Sequence, residues 1–155
     1  MASTIVAADL TVSIQESYTL NGVLYGNTTN KIYTSNGQVS QRVMSIAGIA
    51  DRTSFTNILA LSTVDGQGQV VQANYKYFRI TNLDTVNTLQ LRLHNATDYL
   101  AFEVAPASSF LLMDAGVDVP ASASAVLVLA DITQISGQSS SVSEAIDIEF
   151  LIVTS

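Results

Sequence analysis

Tyr75-Lys76-Tyr77-Phe78-Arg79-Ile80-Thr81, then Asn82-Leu83-Asp84-Thr85-Val86-Asn87, then Thr88-Leu89-Gln90-Leu91-Arg92-Leu93: this stretch decides the fold. In its outer thirds large apolar residues alternate with polar ones, and its middle third is rich in Asn, Asp and Thr. Alternation with period 2 places every second side chain on the same face of a strand. The pattern predicts two strands joined by a short loop. Phe78 and Ile80 share one face, as do Leu89, Leu91 and Leu93. Pairing the two sets as a hairpin puts these large apolar side chains into a core, each contributing about 1.5–3 kcal/mol. The opposite face then carries Tyr77, Arg79 and Thr81 beside Gln90, Arg92 and His94. If the following strand is adjacent, Arg92 faces Glu103 as a cross-strand ion pair.

On the N-terminal side, residues 1–9 are expected to form a flexible arm and residues 10–155 a single domain. Leu10, Val12 and Ile14 alternate with Thr11, Ser13 and Gln15, which predicts a half-buried strand. Asn21-Gly22 and Gly26-Asn27 punctuate the next segment of chain. Asn36-Gly37 lies between two strand-like runs, 31–34 and 38–46, and predicts a hairpin there, because Asn and Gly tolerate positive φ. Residues 55–61 are apolar on both faces, as in a strand covered on both sides. On the C-terminal side, Leu100, Phe102 and Val104 alternate with polar or small residues up to Pro106, which cannot donate to a ladder. Residues 109–113 and 125–135 read as further strands, and 137–143 as a Ser-rich connection. In the last run Ile146, Ile148, Phe150 and Ile152 point one way, and Asp147, Glu149, Leu151 and Val153 the other. Its second half is apolar on both faces and needs a cover, from this chain or from another subunit. About ten short strands separated by turn signals predict an all-β fold, an antiparallel Greek-key β-sandwich of jelly-roll type.

The composition narrows the chemistry. A chain of 155 residues suits one domain. There is no Cys, so disulfides, thiolate metal sites and Cys nucleophiles are excluded, and the single His94 cannot by itself build a structural zinc site. The net charge is −7, and the basic residues Lys31, Arg42, Arg52, Lys76, Arg79 and Arg92 are dispersed, which argues against nucleic acid and against an anionic membrane surface as partners. Residues 1–9 lack the basic and apolar regions of a secretion signal. Charged residues make up only 12%, against about 25% in a typical domain, and Ser, Thr, Asn and Gln take their place, a surface common in proteins that pack into assemblies or live outside cells.

No catalytic machinery stands out, and the chain is expected not to be an enzyme and to need no cofactor. No Gly-x-Ser-x-Gly elbow accompanies His94. Glu144, Asp147 and Glu149 are the one cluster that could supply a glycosidase pair, and no Trp is present to form a sugar platform. Segments 65–68 and 114–118 carry oxygen ligands without the spacing of a calcium loop.

Several stretches resemble small virion structural proteins of tailed bacteriophages. They are Thr19-Leu20-Asn21-Gly22, Tyr25-Gly26-Asn27, Gln41-Arg42-Val43, Tyr77-Phe78-Arg79-Ile80-Thr81-Asn82-Leu83-Asp84, Leu89-Gln90-Leu91-Arg92, and Glu103 with Pro106-Ala107-Ser108-Ser109-Phe110. The resemblance spans residues 10–113. It implies a β-sandwich that decorates or cements a capsid, contacts the major capsid protein, associates with itself, with a trimer favoured, and is made in the host cytoplasm before it joins the virion. Ile5 and Val6 in the arm, Arg79 and Arg92 on the outward faces, and Leu151 and Val153 on the last strand are the candidate interface residues. The alternative is a tail or fibre module that binds host carbohydrate through Tyr18, Tyr25, Tyr33 or Tyr99.

Overall fold

A computed structural model describes residues 8–48, 54–62, 70–71, 74–95, 99–113, 117–118, 126–127 and 132–154. The described residues form thirteen strands: β1 (Ala8–Leu20), β2 (Val23–Asn36), β3 (Gln38–Ile46), β4 (Thr56–Ser62), β5 (Val70–Val71), β6 (Tyr75–Asn82), β7 (Leu89–His94), β8 (Tyr99–Val104), β9 (Ser109–Met113), β10 (Val117–Asp118), β11 (Val126–Leu127), β12 (Gln134–Ser139) and β13 (Ile146–Thr154). Two sheets make the body. One has the order β3-β13-β6-β9, the other β5-β4-β12-β7-β8. β10 and β11 pair separately, and β1 and β2 form a two-stranded ribbon of their own.

The pairing is nested. β7 pairs with β8, β6 with β9, β4 with β12 and β3 with β13, all antiparallel. Within this nested set, chain neighbours pair only in the innermost step, β7 with β8. This is a long antiparallel ribbon wound once around itself, with β13 against β6 and β12 against β7 closing the two sheets. It is the jelly roll expected from the strand count and spacing.

The winding changes the meaning of the stretch from Tyr75 to Leu93. Both its strands form, and Phe78, Ile80, Leu89, Leu91 and Leu93 are all fully buried. They do not pair as a hairpin. β6 lies between β13 and β9, β7 between β12 and β8, so the two sets meet across the sandwich rather than side by side. The polar segment between them is a corner that carries the chain from one sheet to the other. Asn82, itself fully buried, organises it. Its Nδ2 donates to the carbonyls of Asn87, Val104 and Ala105, and its Oδ1 accepts from Asp84 N. Asp84 Oδ1 then accepts from the backbone of Val86 and Asn87.

The expected hairpin at Asn36-Gly37 is likewise absent. β2 turns back on β1, while β3 pairs with β13, and Gly37 N donates to Thr154 O where the chain leaves the ribbon for the sheet. The tight turn is at the other Asn-Gly pair. Asn21 and Gly22 have φ of 50° and 79°, the two positive angles that a type I′ hairpin turn requires.

Of the strand expected over 125–135, residues 126–127 form β11 and 134–135 open β12, while 125 and 128–131 lie outside the described residues. β12 begins at Gln134 and runs to Ser139, into the segment read as a connection. It is the central strand of its sheet, and residues 135–139 are buried. Small residues make this possible. A Cβ on Gly137 would stand 2.8 Å from Ile58 Cδ1 and 2.9 Å from Leu89 Cδ1, so the larger side chains of β4 and β7 close over the space a side chain would occupy. β4 buries Ile58 and Leu61 and exposes Asn57 and Ala60, so it is covered on one face rather than both.

Candidate functional site

The β1–β2 ribbon is the largest feature that the sandwich does not absorb. Its register runs without irregularity from Leu10↔Tyr33 to Leu20↔Val23, a length of about 35–40 Å at 3.4 Å per residue. Directly opposed residues share a face. One face therefore carries Leu10, Val12, Ile14, Tyr18 and Leu20 with Tyr33, Tyr25 and Val23, interrupted by Lys31 opposite Val12, Thr29 opposite Ile14, and the pair Glu16 and Asn27. The other is mostly polar, with Ser13, Gln15, Ser17, Thr28 and Asn30, plus Leu24 and Ile32.

Only the base of the apolar face is covered. Tyr33 is buried and, with Leu10 and Val12, packs on Tyr77, Val153, Leu151 and Met113 of the four-stranded sheet. Every residue from 13 to 32 is exposed. The exposed set includes Ile14, Leu20, Val23, Ile32, the stacked pair Tyr18 and Tyr25 with ring centroids 5.4 Å apart, and Leu24 at 71%. An open groove of about 380 Å³ runs beside this pair, between Gln15, Glu16 and Ser17 on one strand and residues 24–28 on the other.

The sheet face under the ribbon base continues outward. Cross-strand partners set the rows Met113–Tyr77–Val153–Val39, Leu111–Arg79–Leu151–Gln41 and Ser109–Thr81–Glu149–Val43. The first row is largely beneath the ribbon, where burial pushes the Tyr77 hydroxyl pKa up and the neighbouring Arg79 partly offsets it. In the later rows Arg79 Nη2 donates to Glu149 Oε2 at 2.7 Å, and Gln41 Nε2 donates to the other carboxylate oxygen. Both members of the ion pair are partly exposed, which limits it to about 0.2–1 kcal/mol. Val43 is 65% exposed, and Val39 and Leu111 also reach solvent.

On the other side of the molecule, Gln90 rather than Arg92 stands opposite Glu103, so the expected Arg92–Glu103 pair does not form across the strands. The Arg92 guanidinium instead lies between two rings, 3.7 Å from the Phe55 centroid and 4.2 Å from that of Tyr99. An open cleft of about 320 Å³ adjoins it, bounded by Phe55, Gln90, Ala101 and Glu103. His94 Nε2 is 2.6 Å from Ser136 Oγ, but Ser136 is buried in the central strand. Burial and the nearby Arg92 charge hold the His94 pKa below its ordinary 6.5.

The acidic residues near the last strand are spread among separate roles. Glu144 accepts from Asn87 Nδ2, Glu149 is held by Arg79 and Gln41, and the Asp147 carbonyl accepts from Leu83 N. In the corner, the bonds from Asn87 N and Val86 N hold the Asp84 carboxyl below the usual range. Among the described residues no group of three or more His, Cys, Asp or Glu side chains is placed to hold a metal, and no helix is long and apolar enough to cross a membrane.

The structure thus separates the candidate interface residues. Arg79 and Arg92 lie on opposite sheets. Arg79, Leu151 and Val153 share one face, but Val153 is fully buried and Leu151 partly so, because the ribbon base supplies the cover from within the chain. Ile5 and Val6 lie outside the described residues, as do most of the expected arm and the 65–68 loop. Ala8 and Asp9 already belong to β1. Of the tyrosines, Tyr18 and Tyr25 are exposed on the ribbon, Tyr99 flanks Arg92, and Tyr33 is buried. The residues not singled out from sequence are Ile14, Leu20, Val23 and Leu24. Their signal was available, since Asn21-Gly22 between alternating runs marks a hairpin. Comparison of the chain with protein-family models, curated proteins and solved structures finds no match.

Proposed function

We propose that this chain is a structural subunit of a tailed-phage virion, one that decorates the capsid and cements it by bridging neighbouring subunits, among them the major capsid protein. In this reading it is assembled in the host cytoplasm, works without catalysis, and associates with itself. The carrying observation is the ribbon. A two-stranded ribbon is marginal in water by itself, yet this one projects a face with large apolar side chains clear of the body. Such a face is an adhesive element. Repeating one weak contact around a symmetric shell gives strong retention through multivalency. The jelly roll is used by viral capsid and lectin domains alike, so it accommodates the reading without selecting it.

The test is a reconstruction of the virion that contains the chain. Density for the jelly roll on the capsid surface, with its ribbon reaching a neighbour, is the expected result. Density confined to the tail would overturn the cement reading. That outcome would favour a tail or fibre module, for which the exposed Tyr18–Tyr25 stack beside an open groove is the supporting observation. Loss of glycan-array binding in Tyr18→Ala and Tyr25→Ala would then identify the stack as a carbohydrate platform.

A further inference from the structure

We propose that the distal half of the ribbon docks on the outer face of the four-stranded sheet of a second copy of this chain. This deepens the assembly reading and rests on the ribbon being an adhesive element. It does not depend on the assembly being a virion.

The fit between the two surfaces is already displayed within one chain. Leu10, Val12 and Tyr33, the base of the ribbon's apolar face, pack on Tyr77, Val153, Leu151 and Met113 of that sheet face. The same ribbon face continues through Ile14, Tyr18 with Tyr25, and Leu20 with Val23, all uncovered, with Thr29, Glu16 and Asn27 among them. The same sheet face continues outward to Leu111, 40% exposed, and Val43, 65% exposed, which stand on its two outer strands with Arg79, Gln41, Thr81 and Glu149 between them. Isolated apolar side chains on a surface are ordinary, whereas contiguous ones, such as the ribbon's Tyr18–Tyr25 and Leu20–Val23 pairs, mark a contact. Donor and acceptor are extensions of one interface.

The chain's own ribbon cannot close this contact. Its pairing is continuous from Leu10 to the turn, and the sole register shift lies between Ala8 and Leu10, so no bulge bends the distal half back over the sheet. Among the described residues no other segment covers these exposed side chains, so the occupant is taken from a second copy. Dimensions agree. From Ile14 to Leu20 the ribbon spans about 20 Å, while three strand spacings of about 4.8 Å give the four-stranded sheet a width of about 14 Å between its outer strands. The ribbon therefore crosses the whole sheet. Because both its strands are already hydrogen-bonded to each other, it packs face-on through side chains rather than as an added strand.

The experiment uses the full chain alone in solution. The absence of Cys makes Val43→Cys a unique attachment point for a benzophenone cross-linker. Equal amounts of ¹⁵N-labelled and unlabelled protein are mixed and irradiated. Cross-links joining labelled to unlabelled copies at residues 14–25 are expected. Analytical ultracentrifugation should show self-association weakened at least about tenfold by Val43→Glu and by the double change Tyr18→Ser, Tyr25→Ser. All three positions are exposed, so the monomer fold is retained. A protein that stays monomeric at about 100 μM, where a micromolar association would be saturated, overturns the inference. So does an oligomer whose cross-links fall outside the ribbon, or one indifferent to Val43→Glu. Should the cross-links appear as expected while the virion carries no such density, the cement reading falls and this one stands.

Discussion

In the ribbon, Ile14, Tyr18, Leu20, Val23, Leu24, Tyr25 and Ile32 stand in water, whereas in β12 a run reading Gln-Ile-Ser-Gly-Gln-Ser is buried from its second residue to its last. By composition alone the two would be exchanged. The difference is one of neighbours. β12 has a paired strand on each side and large side chains of β4 and β7 folded over Gly137, so its small polar residues leave no gap. The ribbon has its own two strands and a contact with the four-stranded sheet at its base. Burial is set by the partners that topology brings, and this polar strand is accommodated in the centre because it is paired on both sides and Ser136, Gly137 and Ser139 leave room for larger neighbours.

Substitutions sharpen this contrast. The largest effect is expected at the body's centre, where Leu91→Ala should lower unfolding free energy by about 2–5 kcal/mol through lost burial and a residual cavity, read by urea denaturation. Next comes Gly137→Val, expected to cost about 1–3 kcal/mol by overpacking against Ile58 and Leu89. A neutral outcome there would break the claim that smallness is what β12 requires. Acidity gives a smaller effect. The folded state holds His94 below its ordinary pKa, so as pH falls below about 6.5 the unfolded chain takes up the proton first. Stability should be flat above that value and decline beneath it until the folded-state pKa is passed. His94→Asn should remove this slope in thermal melts between pH 7 and pH 5. Asp84, whose pKa is also lowered, acts at lower pH: its contribution is present above the ordinary carboxylate value of 3.8 and is lost as pH falls through the folded-state pKa. The smallest change in monomer stability, within about 0.5 kcal/mol, is expected for Leu24→Ser at the ribbon tip. A loss there comparable with that of Leu91→Ala would show that the ribbon is part of the folding core and not an appendage.

Much of the body was legible residue by residue. Strict alternation identified the inward residues of β6, β7, β8 and β13, because the period of a strand fixes which side chains share a face whatever the strand pairs with. Pairing was less legible. Two predicted hairpins, 75–93 and 31–46, are instead places where the chain changes sheet or leaves the ribbon. A polar segment rich in Asn and Asp satisfies a sheet-crossing corner as well as a tight turn, as Asn82 and Asp84 show by capping backbone groups from several segments. The true type I′ turn at Asn21-Gly22 carried the same dipeptide as Asn36-Gly37, and only the former takes positive φ.

At the last strand the need for a cover was legible, but not the segment that supplies it. The apolar second face of Leu151 and Val153 was correctly read as needing a cover, and the ribbon base provides it. The uncovered apolar surface lies instead on the ribbon between residues 13 and 32, where alternation looks the same as in any half-buried strand.

Residue chemistry and local pattern were enough to make the protein all-β, to assign the inward side chains of its regular strands, and to exclude metal sites built on cysteine. Those properties come from local period and from residue chemistry, which need no knowledge of distant neighbours. Long-range pairing placed β6 and β7 in different sheets, made the polar β12 central, and left the partly apolar β1–β2 face projecting from the body. In a ribbon wound on itself most pairings join residues far apart in the chain, and no local pattern encodes which distant strand will arrive.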